Sequence, residues 1–166
     1  MKKSGQVWSM DIVIAFIIFL SAIIILFIYS INYSGEVEKT YDKLSYDGDI
    51  IIENLFLEGH PKDWNFGNVI NIGITSNNKI NETKLERFYN LVQDDYPRTK
   101  SLFNTNYDYY FFLQDNITIS SLEIEGIGKP GTNKNEIDST DLVKITKFTI
   151  YKEKPTTAYL YIWQEN

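Results

Sequence analysis

The sequence predicts an α+β protein. A long N-terminal helix, membrane-spanning in its first half and amphipathic in its second, should pack on an antiparallel β-sheet head domain. Three observations carry this expectation. Ile12 to Ile31 are twenty consecutive uncharged residues. Apolar residues then recur at helical spacing through Leu55, with acids between them. From Tyr107 onward the pattern changes to strand-like runs rich in aromatic and β-branched residues.

The uncharged run has the length of a bilayer span, since about 20 helical residues cover the ~30 Å hydrocarbon core. A helix makes its backbone hydrogen bonds internally, as lipid requires. A buried core helix would be shorter and would keep a polar face. A cleaved secretory signal has an apolar region of about 7–15 residues and a small-x-small site. Here the run ends in Tyr29-Ser30-Ile31-Asn32-Tyr33, which offers no such site. Lys2 and Lys3 precede the run, while Glu36 and Glu38 follow it. The positive-inside rule therefore predicts a cytoplasmic N-terminus and an external head.

Val37, Tyr41, Leu44, Gly48, Ile51 and Leu55 form the seam of the amphipathic continuation. Gly35 and Gly48 are places where it can bend. Gly59-His60-Pro61 supplies its stop. A loop follows, in which Ile70 to Ile74 alternate like a short strand. Asn81 reads as the N-cap of a helix from Glu82 to about Asp94, with Leu85, Phe88, Tyr89 and Val92 on its buried face. Tyr96-Pro97 interrupts that helix, and Arg98 to Phe103 adds a further turn.

In the β region, Tyr109–Leu113 and Asn116–Ile124 are spaced as a hairpin across Gln114-Asp115. Gly126 to Ser139 reads as an exposed polar loop. Val143–Tyr151 and Thr157–Trp163 form the last hairpin around Lys154-Pro155. A phase shift between Ile145 and Phe148 suggests a bulge near Thr146. The final strand is apolar on both faces and so is expected to be central.

Composition narrows the function. The 166 residues include no cysteine, so no disulfide or thiol chemistry is available. A formal charge of −6, without a basic patch, argues against nucleic acid as a partner. His60, the sole histidine, lies between Gly59 and Pro61 and reads as a turn residue. Asp94-Asp95 at a helix end, and Glu123 and Glu125 on one strand face, read as solvated carboxylates rather than an acid–base pair. Tyr107 to Phe112 offers rings that can stack on sugars or bases, though cross-strand packing accounts for them more simply. No metal-ligand spacing, Gly-rich phosphate loop or Gly-x-Ser-x-Gly occurs. The expectation is therefore a non-enzymatic chain without cofactor or metal. Asn32, Asn81 and Asn116 head Asn-x-Ser/Thr triplets and are possible N-glycosylation sites on an external head.

Lys2-Lys3-Ser4-Gly5-Gln6 ahead of an apolar helix resembles the class III signal peptide of archaeal type IV pilin-like proteins. The resemblance extends along most of the chain. Asp49 to Trp64 looks like the family's leucine-rich, Thr-Pro-Gly-x-Pro, Trp segment. Ile72-Gly73-Ile74 is similar to its Ile-Gly-Leu, and Lys84-Leu85 with Tyr96 and Lys100 to its following helix. The Tyr107–Leu113 strand and the strand ending at Trp163 match as well. The resemblance implies cleavage between Gly5 and Gln6 by a prepilin-type signal peptidase, with Lys2 and Lys3 holding the leader inside. Cutting removes both lysines and takes the formal side-chain charge from −6 to −8.

The implied layout is a leader at 1–5, an apolar transmembrane and assembly helix at 6–34, an amphipathic continuation at 35–58 and an extracytoplasmic head at 59–166. The implied role is a major or minor subunit of a cell-surface filament, partnered by other pilin subunits. The freed amine of Gln6 and a nearby acid would form the assembly contact. Such pilins usually carry Glu at the fifth mature position. Here that position is Met10, and the acid is Asp11, the sixth. One residue rotates a helical side chain by about 100°. The other reading is a single-pass, membrane-anchored protein that binds an external or adhesive target without polymerising.

Overall fold

The computed structural model describes residues 5–137, 139 and 141–164, without the side chains of 5–9 and 32–38. Helix α1 runs Gly5–Leu55, and the chain divides into two compact units between Thr40 and Tyr41. In the first unit, Met10–Ile31 is the one helical segment among the described residues long and apolar enough to cross a membrane. Every side chain in that segment is exposed. Its Ser21 hydroxyl donates to the Ile17 carbonyl at 2.8 Å, so the hydroxyl is satisfied within the helix.

The second unit combines helices with antiparallel sheets. A small hairpin joins β1 (Thr75–Ser76) and β2 (Lys79–Ile80), and α2 covers Glu82–Leu102. Six more strands complete the chain: β3 (Asp108–Leu113), β4 (Ile117–Ile119), β5 (Leu122–Ile124), β6 (Ile127–Gly128), β7 (Leu142–Tyr151) and β8 (Lys154–Trp163). The main sheet has the order β6-β3-β8-β7, all antiparallel. β8 is central, as its two apolar faces predict.

The C-terminal part of α1 lies on one face of this sheet. Leu44, Ile51, Ile52 and Leu55 are buried in the main core with Leu160 and Ile162 of β8. Gly48 makes the close approach possible. A Cβ there would lie 2.5 Å from Ile145 Cδ1 and 3.0 Å from Ile162 Cγ2. The helix carries no break at Gly48. Tyr41, placed on the seam by its spacing, is 40% exposed, and the Val37 side chain lies outside the described residues.

α2 covers the other half of the same face. Phe88 and Phe103 pack on Tyr109 at ring separations of 6.5 and 5.4 Å. Asn81 caps α2, its Oδ1 accepting from the Lys84 backbone N–H at 3.1 Å. Asp95 leaves helical geometry at φ −152°, ψ 71°, two residues before Pro97. Its carboxylate then accepts from the Arg98 N–H at 3.1 Å and restarts the helix. The interruption predicted at Tyr96-Pro97 is therefore a kink one residue earlier.

Five local expectations change. Asn116–Ile124 is not one strand beside Tyr109–Leu113. It is the β4–β5 hairpin itself, turning at Ser120 and Ser121, which both take positive φ (48° and 73°). β3 pairs instead with β6 and β8, so part of the predicted Gly126–Ser139 loop is a strand. Ile70–Ile74 forms no strand, only a bridge between His60 and Asn71.

The register from Ile145↔Leu160 to Lys147↔Ala158 is continuous, so no bulge occurs at Thr146. Phe148 keeps the alternating phase and faces outward, 83% exposed. The last hairpin turns at Lys152 and Glu153 (φ 49° and 61°), the geometry of a two-residue primed turn, and not around Lys154-Pro155, which are already paired in β8. Pro155 then sits inside β8 opposite Ile150, beyond the end of β3, where no partner needs its missing N–H.

Candidate functional site

Asp11 lies at the start of the apolar segment, one residue after Met10, and is exposed. It is the single charged residue of Met10–Ile31. An ionised acid at the edge of such a segment is costly unless it meets water or a cation. Gly5 is the first described residue of α1, and Gln6 comes next within the same helix. The Gln6 side chain lies outside the described residues, as do Lys2, Lys3 and the side chain of Asn32. Asn116 is exposed in the bend between β3 and β4. Asn81 is half-buried, with its amide oxygen engaged in the α2 cap.

The segment after α1 forms a clasp that no local sequence motif predicts. Gly59, in the left-handed region at φ +79°, runs so close to Gly73 that neither position has room for a Cβ. Trp64 is fully buried beside them and donates from Nε1 to the Gly73 carbonyl at 2.9 Å. The carbonyls at the end of α1, which have no partner within the helix, are met from outside it. Leu55 and Leu57 accept from the Ile74 and Thr75 N–H groups at 2.7 and 3.2 Å, and Phe56 from the Thr75 hydroxyl at 2.9 Å.

Lys84 completes the clasp, donating to the carbonyls of Glu58 (2.6 Å) and Thr75 (2.9 Å). Burial lowers its pKa, partly opposed by the Glu58 carboxylate. Glu58 itself is held below the usual carboxylate range, chiefly by Lys62 at 2.9 Å. Gly59-His60-Pro61 and Ile72-Gly73-Ile74 thus have a structural reason to occur together in one chain: they lock the end of the helix.

A second polar cluster centres on Asp108 at the start of β3. Its carboxylate accepts from Lys100 and Lys129, each at 2.9 Å, and from the Tyr96 hydroxyl at 3.1 Å. Burial alone would raise the Asp108 pKa, but the hydrogen bonds and charges of Lys129 and Lys100 outweigh it and hold the pKa below the ordinary value. Burial raises the pKa of Tyr96 and of Tyr109, whose hydroxyl meets that of Thr99 at 2.5 Å. A carboxylate shared by two ammonium groups is a poor base, and Tyr96 stays protonated. The arrangement ties α2, β3 and the segment after β6 together. Tyr96 and Lys100 on α2 reach Asp108 across the turn into β3, and Lys129 arrives beside the β3–β6 pairing, so no single local motif announces the cluster.

The acids considered for acid–base work are separated. Asp94, Glu123, Glu125 and His60 are exposed, and Asp95 caps the helix restart. Among the described residues no group of three or more His, Asp or Glu is placed to hold a metal ion. The rings of Tyr109 and Phe111 fill the main core, while Tyr110 and Phe112 join Trp163 in a second cluster on the outer sheet face.

Fold and site define, among the described residues, one helical segment suited by length and composition to a membrane and a mixed helix and antiparallel-sheet body. No known protein family, curated protein or solved structure matches the chain.

Proposed function

We propose that this chain is a subunit, major or minor, of an archaeal type IV pilus-like surface filament. In this reading a prepilin-type peptidase cuts between Gly5 and Gln6, and the mature chain assembles through its N-terminal apolar helix. The observation that carries the proposal is the Lys2-Lys3-Ser4-Gly5-Gln6 sequence set directly ahead of an apolar helical segment exposed along its whole length. The N-terminus lies in the cytoplasm and the body outside. Apolar side chains gain nothing by meeting one another in lipid, so packing and polar contacts must drive association there. Cleavage frees the Gln6 amine, and in this reading Asp11 of a neighbouring copy is the nearest acid to pair with it.

One observation favours the other reading, a single-pass anchored binding or adhesion protein that does not polymerise. The acid stands at the sixth mature position instead of the fifth. Shearing of cells separates the two readings. The filament reading expects wild-type protein in the sheared fraction. It expects Asp11→Ala to be inserted and cleaved normally yet depleted from that fraction, because an unpaired charge in low dielectric costs several kcal/mol. Wild-type protein confined to the membrane fraction, in cells that shed filaments, refutes the subunit proposal. Equal shedding of both proteins removes the role of Asp11 alone.

A further inference from the structure

The second unit has two opposite outer faces of complementary character. On α1, the buried side is formed by Leu44, Gly48, Ile51 and Leu55. Asp42, Tyr46 and Asp49 follow spacings of four and three residues on the exposed side, and Tyr46 is 67% exposed. Asp42 and Asp49 are the acids offered there, since Asp47 accepts from the Thr105 hydroxyl at 2.8 Å and Glu53 pairs with Lys147. On the outer face of the sheet, Lys144, Thr146 and Phe148 of β7 are exposed. Lys144 lies over the Tyr159 ring at 4.2 Å, which keeps its ammonium on that face. Lys144 is the β7 lysine of that face, while Lys147, on the other side of the strand, pairs with Glu53.

The two faces are level with each other. Ile145 meets Gly48, and Lys147 pairs with Glu53 at 2.5 Å, so β7 runs alongside this stretch of α1. A second copy displaced sideways, without rotation, would set its acidic helix stripe against the cationic, aromatic sheet face of the first.

We propose that these faces bind each other between copies of this chain, Asp42, Tyr46 and Asp49 of one copy meeting Lys144, Thr146 and Phe148 of the next. The occupant of each face is another copy because the charges are opposite, the levels agree and both faces expose an aromatic ring. Copies inserted in one membrane share one orientation, which a displacement without rotation preserves; to that extent the inference rests on the membrane-anchored reading. The contact is heterologous, so each copy keeps one face open for a further copy and rows can extend.

The absence of cysteine allows a direct test in the full-length, membrane-inserted protein. Tyr46→Cys and Thr146→Cys chains carrying different tags are co-expressed and oxidised in the membrane. The mixed pair is expected to form a disulfide dimer, and a chain with both substitutions is expected to form a ladder. The 46–46 and 146–146 pairs should be at least about tenfold weaker, as expected for a face that does not match itself. Lys144→Glu should reduce the ladder about tenfold, and adding Asp49→Lys should restore it. Dominant like-with-like pairs, cross-links to a different polypeptide, or a ladder indifferent to Lys144→Glu would each overturn the inference. A ladder in cells whose protein never enters the sheared fraction supports the docking while removing the filament reading. Shed filaments without a ladder overturn the docking alone.

Discussion

Removing the helix that covers the sheet is the most demanding perturbation of this fold. A chain beginning at Gly59 lacks Leu44, Ile51 and Leu55, each fully buried, and Ile52, 2% exposed. Each such side chain contributes about 1.5–3 kcal/mol by leaving water, so the four together contribute about 6–12 kcal/mol. That sum is an upper figure, because the unfolded chain already hides part of its apolar surface. It nevertheless matches the ~5–15 kcal/mol net stability of a whole domain. The same cut removes the carbonyls of Leu55, Phe56 and Leu57 that receive the hydrogen bonds of Ile74 and Thr75. A chain beginning at Glu36 keeps all of these groups. Thermal melts followed by circular dichroism, with gel filtration of both chains, should give a cooperative monomer for the Glu36 start and aggregate for the Gly59 start. Equal cooperative melting of the two would refute the claim that α1 completes the core.

Four substitutions at three positions probe single contacts. Gly48→Ala should be close to neutral in urea unfolding, because about 1 kcal/mol of helix propensity offsets the shift required of the Ile145 side chain. Gly48→Leu should cost about 2–3 kcal/mol by overpacking against Ile145 and Ile162; an unchanged midpoint would contradict that packing. Lys84→Met removes two charge-assisted hydrogen bonds from the end of α1 and should cost about 2–4 kcal/mol by the same measurement. Asp108→Asn should cost about 2–3 kcal/mol near neutral pH, less than a fully buried pair because both lysines reach water. Its pKa is depressed by folding, so its contribution is present above the unfolded value near 4 and lost as pH falls through the folded value. Wild type and Asp108→Asn should therefore converge in acid, and a constant gap down to pH 2 would contradict the depressed pKa.

Periodicity is informative where one face of an element is buried. It locates Leu44, Gly48, Ile51 and Leu55 on the inner side of α1, and Leu85, Phe88 and Val92 on that of α2. It misleads where local backbone geometry intervenes. Ser120 and Ser121 split an apparently continuous strand, and two serines carry no turn signal as strong as Asn-Gly. Phe148 mimics a phase shift because an exposed phenylalanine is assigned inward by its apolar character alone. Pro97 announces a break, yet the non-helical residue is Asp95, which caps the second half of α2. The Lys84 clasp and the Asp108 cluster are invisible in the sequence because their partners lie across strand pairings and loops. A lysine inside an amphipathic helix gives no sign that it will meet carbonyls of another segment.

The proposed cut at Gly5–Gln6 is the step that frees the assembly helix in the filament reading. It is tested most directly by the N-terminal peptide of the protein recovered from its own cell membrane. Mass spectrometry should find Gln6 as the first residue, with Lys2 and Lys3 absent from the mature chain. An intact start at Met1 or Lys2 would contradict the account in favour of a plain anchor, and a start near residue 32 would show an ordinary secretory signal instead.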